Sequence, residues 1–190
     1  MIKRACDVVV AALGLLLASP PIAAIALALT IEGRGPIFYR SPRLGKGGRV
    51  FHLVRFRTMV DAPPDLGPEA RPTPVGRFIR NYALDDLPSL VHVLRGDLSL
   101  VGPRPMEVGR VDPTAATWRR ILSVRPGFVS YAILMLGAHD NTSSPAEKEW
   151  LELDYVSRQS LRFDLYVLAA TLRALLTSRG NIKARGKPTV

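Results

Sequence analysis

Cys6 is the only cysteine in 190 residues, so no intrachain disulfide can form. The fold must therefore be held by its core, and the composition suits a reducing compartment; Cys6 itself reads as a small apolar residue. Aromatic residues make up 7% of the chain, too few for a base-stacking platform. The three histidines, His52, His92 and His139, show no metal-ligand spacing. Internal repeats and low-complexity tracts are absent. Acidic side chains are scarce: 16 Asp and Glu face 26 Lys and Arg, a formal net charge of +10. That balance suits an anionic partner, and with so few aromatics a lipid headgroup or a phosphorylated substrate fits better than nucleic acid.

The longest feature present is apolar. Val8 to Ile31 carries almost no polar side chain. As a straight helix it is about 36 Å long, enough for a hydrocarbon core of about 30 Å. Ser19, Pro20 and Pro21 interrupt it near the middle. Each proline removes a backbone donor and disfavours helix for the residue before it, so the pair predicts a sharp turn. The carbonyls of Leu16 and Leu17 lose their usual donors, and the Ser19 hydroxyl is placed to satisfy one in the preceding turn. Lys3 and Arg4 precede the segment; Arg34, Arg40, Arg43, Lys46 and Arg49 follow it. Positive charge marks the cytoplasmic side, and here it marks both flanks. A re-entrant hairpin satisfies both flanks. A kinked single span and a signal peptide are the competing readings, the latter weakened by apolar sequence that continues through Ile31.

After Gly33 the composition becomes mixed. The β-prone runs GPIFYRS and RVFHLVRFRTM around PRLGKGG predict a hairpin with a Gly-rich, basic tip. VDAPPDLGPEARPTP is an irregular Pro-rich connection. Arg77 and Arg80 share a face if GRFIR is helical. In LDDLPSLVHVLRG, Leu87, Leu90, Val91 and Leu94 follow helical spacing, with Pro88 in the first turn and Gly96 at the C-terminal cap. Asp85 and Asp86 then stand at the helix N-terminus, where one would ordinarily cap and the other be solvated. In GDLSLVGPRP, two prolines hold Arg104 in a stiff loop, presenting either a bidentate phosphate contact or a plain rigid turn. Leu161, Leu165, Leu168, Leu172, Leu175 and Leu176 form one face of a C-terminal helix flanked by arginines. Such a face ordinarily packs on a core; the other reading is a basic amphipathic helix on an anionic membrane.

These motifs, in the order KRACD, Ser-Pro break, GPIFYR with its following glycines, RFRTM, TPVGRFIR, LDDLPSL, GDLSLVGPRP and VRPG, resemble the bacterial sugar transferase family, the small monotopic phosphoglycosyl transferases. The resemblance implies an α+β, mainly helical fold. It divides the chain into a re-entrant membrane hairpin over 1–32, a cytoplasmic catalytic domain over 33–180 with a small β-hairpin and interfacial amphipathic helices, and a basic tail over 181–190. The length leaves no room for the extra transmembrane bundle of larger relatives. The implied location is the cytoplasmic face of a bacterial inner membrane. The implied reaction moves a sugar-1-phosphate from a UDP-sugar to undecaprenyl phosphate, releasing UMP and starting a lipid-linked glycan. Ser19 and Pro20 match the family's membrane break. Asp85 matches its nucleophile, which forms an aspartyl phosphosugar, and Asp86 stands where the family has Glu. The two would hold Mg2+, whose hard charge suits carboxylate and phosphate oxygen. Arg55, Arg57, Arg80, Arg104 and Arg125 match substrate-binding positions, although Arg55 replaces the family's usual Lys. PGFVSYAIL and GAHDN depart from the family pattern. A catalytically degenerate, membrane-associated scaffold of the same fold is therefore the alternative. Membrane lipids are expected partners, nucleic acid is not, and homo-oligomerisation is left open.

Overall fold

The structure, a computed structural model, describes residues 2–33, 35–59, 72–137 and 143–177. Most of the Pro-rich connection, GAHDN beyond Gly137 and the C-terminal tail lie outside the described residues. The architecture is mostly helical with two small sheets. Helix α1 covers Ile2–Glu32 and is followed by the hairpin β1 (Phe38–Leu44) and β2 (Val50–Phe56). Then come α2 (Pro74–Asn81), α3 (Leu90–Arg95), β3 (Ser99–Val101), α4 (Ala116–Ile121), β4 (Gly127–Val129), α5 (Tyr131–Leu136), α6 (Pro145–Arg158) and α7 (Leu161–Thr177).

The expected hairpin forms, with Phe38 opposite Phe56 and Leu44 opposite Val50. Its inward side chains Phe51 and Leu53 join the main core with Val93, Leu98, Leu134, Leu151, Tyr155 and Val167. A second, smaller cluster joins Ile25 and Leu29 of α1 to Phe56 and Ile79. His92 is buried between hairpin and α3: Nε2 accepts the Val54 N–H at 3.2 Å and Nδ1 meets Asp97 at 3.0 Å. It is a satisfied core histidine.

The sharp turn expected at Ser19-Pro20-Pro21 is not seen as a gap in secondary structure. The segment is helical from Ile2 to Glu32 with both prolines inside it. Proline's fixed φ is itself helical, so what the pair removes is donors. One orphaned carbonyl is recovered as anticipated, because the Ser19 hydroxyl donates to Leu16 O at 2.7 Å. The burial pattern still divides the helix in two. Asp7 and Ala11 are buried at one end and Ile25 and Leu29 at the other, and no residue from Ala12 to Ala24 is.

Both ends are tied into the body. Lys3 Nζ donates to Val101 O and pairs with the buried Asp164. Arg4 donates to Val93 O and Leu94 O, carbonyls of the last turn of α3, at 2.6 and 2.9 Å. Asp7 accepts from the Ser99 hydroxyl and the Leu100 N–H. At the other end Arg57 donates to Leu29 O, and Glu32 accepts from the Val75 N–H.

Helix α7 divides its expected leucine face. It packs inward through Asp164, Val167, Ala170 and Thr171, with Leu168 against the main core and Leu175 half-buried. Leu161, Leu165, Leu172 and Leu176 point outward, as they would on an amphipathic interfacial helix.

Candidate active site

The Asp85-Asp86 pair is placed by three local devices. Helix α2 starts on a buried Thr73 whose hydroxyl accepts the Gly76 N–H at 2.8 Å, with Pro74 next. It ends in a Schellman-type cap: Leu84 N–H reaches Ile79 O and Ala83 N–H reaches Arg80 O. The left-handed residue of that cap is Ala83 (φ +53), where glycine is usual. The chain then turns into Asp85, whose carbonyl accepts the Phe56 N–H at 3.0 Å and locks the pair to the end of β2.

The single helix expected over LDDLPSLVHVLRG is a 3-10 turn, Leu87–Ser89, leading into the short α3. Gly96 closes it in the left-handed region, as anticipated. Asp86 occupies the N-cap position of the 3-10 turn but makes no side-chain capping bond. Its carboxylate is therefore available for other work, unlike the ordinary capping aspartate.

Four guanidiniums act on this pair. Arg55 Nε lies 3.7 Å from Asp86 Oδ1, and that Nε is buried without a hydrogen-bond partner. Burial and the neighbouring Asp86 charge raise the Asp85 pKa to about 6, against the pull of Arg55 and Arg80. Burial likewise raises Asp86, opposed by Arg55, Arg104 and Arg43. Cations thus surround two adjacent carboxylates that are partly shielded from solvent. An incoming diphosphate would find positive charge already in place.

Arg104 is exposed on its loop, and the loop is fixed from behind. Strands β3 and β4 pair in parallel, Ser99 opposite Gly127 and Val101 opposite Val129. Gly102 N–H donates to Val129 O and Gly127 N–H to Pro103 O. A Cβ on Gly102 would lie 2.5 Å from Arg125 O, and one on Gly127 would lie 2.1 Å from Gly102 N. Only glycines allow GPRP and VRPG to approach this closely. Beneath them Glu152 Oε1 accepts the Arg104 N–H at 3.1 Å and the Ser130 hydroxyl at 3.2 Å. Glu152 is buried, its Oε2 has no partner, and burial raises its pKa to about 7.

Of the sequence-predicted residues, Asp85, Asp86, Arg55, Arg80 and Arg104 converge. Arg57 does not: its guanidinium is buried against Leu29 O and lies 3.9 Å from Glu32, so it anchors α1. Arg125 donates through Nε to Gly96 O, and it exerts no charge effect on either aspartate. Ser19 and Pro20 lie in the exposed middle of α1. Sequence reasoning missed Arg43, which joins the site across the hairpin while holding Glu107 at 2.8 Å and Pro105 O at 3.2 Å. It also missed Glu152, although an acid on the core side of a helix, beside Leu151 and Tyr155, is a readable signal.

As a metal site the pair fits magnesium better than a caged ion. Among the described residues no group of three or more His, Cys, Asp or Glu converges. Magnesium commonly takes one or two carboxylates and completes its shell with phosphate and water. Two adjacent carboxylates, Asp86 making no capping bond, meet that requirement.

A family model described as bacterial sugar transferase matches residues 1–178. A UDP-glucose:undecaprenyl-phosphate glucose-1-phosphate transferase of Caulobacter vibrioides is 35% identical over 187 residues, covering 93% of this chain and 70% of that protein. A UDP-N-acetylgalactosamine-undecaprenyl-phosphate N-acetylgalactosaminephosphotransferase of Aeromonas hydrophila is 32% identical, covering 94% of this chain and 44% of that protein. A UDP-glucose:undecaprenyl-phosphate glucose-1-phosphate transferase of Escherichia coli strain K12 is also 32% identical, covering 90% of this chain and 39% of that protein. The chain thus spans less than half the length of the last two.

Proposed function

The chain belongs to the bacterial sugar transferase family, and from that premise we propose that it transfers a sugar-1-phosphate from a UDP-sugar to undecaprenyl phosphate. The observation that carries the reading is the Asp85-Asp86 pair ringed by Arg43, Arg55, Arg80 and Arg104.

With a pKa of about 6, Asp85 is largely ionised at neutral pH, and its partial shielding from solvent favours nucleophilic attack. Its carboxylate oxygen attacks the sugar-bearing phosphorus. The bond from that phosphorus to the bridging oxygen breaks, and UMP leaves with the electron pair. A phosphate oxygen of undecaprenyl phosphate then attacks the same phosphorus, releasing the Asp85 carboxylate and forming the polyprenyl diphosphate sugar. Arg55 and Arg80 hold negative charge beside Asp85, and Arg104 offers a two-pronged contact from a loop braced by Glu152. Magnesium, when bound by Asp85 and Asp86, supplies neutralisation of the diphosphate charge.

The membrane reading rests on α1. Its window of mean hydropathy 2.3 suits a bilayer, and its middle is unburied and apolar, with Leu16 and Leu17 69% and 79% exposed. Both ends are hydrogen-bonded to one body, which supports a segment that enters the membrane and returns on the same, cytoplasmic side. The outward leucines of α7 would lie at the same interface.

The decisive experiment incubates the full chain with magnesium and a panel of UDP-sugars, with and without undecaprenyl phosphate. UMP release with one sugar, and a stable phosphosugar adduct without acceptor, are expected. No UMP from any UDP-sugar would overturn the reading.

A further inference from the structure

The basic tip of the β-hairpin takes no part in the carboxylate site. Its turn, Lys46–Gly48, carries Gly47 and Gly48 at φ +69 and +78. Gly47 N–H donates to Leu122 O at 2.7 Å, fixing the tip against the segment between α4 and β4. Lys46 and Arg49 are thereby brought to the wall of a cavity of about 250 Å³ that Arg125 also lines. A second cavity of about 200 Å³ is lined by Lys46 and Arg125 together with Lys3, Arg4 and Asp7 of α1.

The charges around these cavities are unbalanced. Asp97 is engaged by His92, and Asp7 by Ser99 and the Leu100 N–H. Lys3 is paired with Asp164, and Arg4 is bonded to the end of α3. Arg125 uses only Nε, on Gly96 O. Among the described residues no carboxylate pairs with Lys46, Arg49 or Arg125. Lys46 and Arg49 on the tip and Arg125 just ahead of β4 bring three cations to one cavity, an arrangement that an anion would stabilise, and arginine favours phosphate.

The second cavity reaches α1 through Lys3, Arg4 and Asp7, and Val10, on the flank of that helix face, is exposed. A phosphate carried on hydrocarbon would place its head among the cations beside the start of the apolar helix, with Val10 at the edge of its chains. We propose that Lys46, Arg49 and Arg125 form a second anion site that holds a lipid-borne phosphate, separate from the carboxylate site. The proposal rests on α1 meeting lipid and is independent of the chemistry assigned to Asp85.

The test measures thermal melting of the full chain in a neutral detergent. It is titrated separately with dihexanoyl phosphatidylglycerol, farnesyl phosphate, dihexanoyl phosphatidylcholine and inorganic phosphate. A rise in melting temperature with phosphatidylglycerol, farnesyl phosphate or both is expected, and the larger shift identifies a bulk lipid or a prenyl phosphate as the occupant. The exposed double substitution Lys46→Gln and Arg49→Gln should weaken that binding by about ten- to a hundredfold. Its melting temperature without lipid should stay near that of the parent, and Arg55→Gln should keep the lipid response. An equal shift with phosphatidylcholine, an equal shift with inorganic phosphate, or an unchanged response in the double variant would overturn the proposal. Should the double variant melt early, Arg125→Lys takes its place: retention of charge without the planar fork should still weaken binding, and an unchanged affinity counts against the site.

Discussion

Replacing Glu152 with Gln isolates one buried ionisation. The carboxyl lies under the Arg104 loop with one oxygen bonded and the other bare, and burial lifts its pKa from an ordinary 4.5 to about 7. The folded state thus holds this proton more tightly than the unfolded chain. The group favours folding most below the unfolded value, and that advantage is lost as pH rises from about 4.5 through about 7. Between pH 5 and pH 8 the loss amounts to about 2–3 kcal/mol, as an upper figure for a group this deeply buried. For a chain of this size it corresponds to roughly 5–10 °C in melting temperature. Gln keeps the acceptor that Arg104 N–H and Ser130 use but cannot ionise. Melting curves of parent and Glu152→Gln at pH 5, 6, 7 and 8 should therefore diverge, the parent falling further. Asp85 and Asp86 also titrate but are common to both proteins, so they cancel in the difference. Parallel curves would falsify the argument that Glu152 is a strained, buried acid.

Asp85→Asn should abolish both turnover and the covalent adduct, checked by mass spectrometry after incubation with UDP-sugar alone; adduct on another residue would refute its nucleophilic role. Arg104→Lys should lower kcat/KM by on the order of ten- to a hundredfold, because a point charge cannot make the two-pronged contact; unchanged kinetics would remove Arg104 from the substrate site. Ala83→Gly should stabilise the fold by up to about 1 kcal/mol in a denaturant titration, since left-handed alanine costs roughly 1–2 kcal/mol and the flexible unfolded glycine returns part of that. Cysteines introduced beside Lys3 and in place of Gly35, in a Cys6→Ser background, should both resist a membrane-impermeant reagent applied from the periplasmic side; labelling of either would rule out a re-entrant α1.

Local patterns were legible and distant pairings were not. The hairpin declared itself through β-prone runs around a glycine-rich tip, and the end of α3 through Gly96. Asp85 and Asp86 were visible as acids ahead of an apolar helical stripe. Strands β3 and β4 were hidden because each spans three residues and pairs across the whole α4 region. No periodicity develops over so short a run. Arg57 was named only through the family resemblance, which gives no side-chain direction. Strand β2 ends at Phe56, and the departing chain turns Arg57 toward α1. Arg43 joined the site only through hairpin register, and the leucines of α7 gave no hint of which way they face. In α1, the cost of two prolines was read in donors, and helical structure nonetheless runs on through them because their φ is compatible with helix.

The ties at the start of α1 bear on how the protein can be taken apart. Asp7 and Asp164 are buried carboxylates whose partners lie on opposite sides of the junction between α1 and the body. Removing Lys3 would strand Asp164 with only the Tyr155 hydroxyl, in a setting where an uncompensated buried charge costs about 3–5 kcal/mol. Arg4 and Arg57 would likewise leave or lose carbonyls at the same seam. The anchor is therefore a structural component and not a removable tether. A soluble version made by deleting it would need Asp164 and Arg57 neutralised in the same step. During synthesis α1 emerges before α7, so its base stays incomplete until Asp164 has been made.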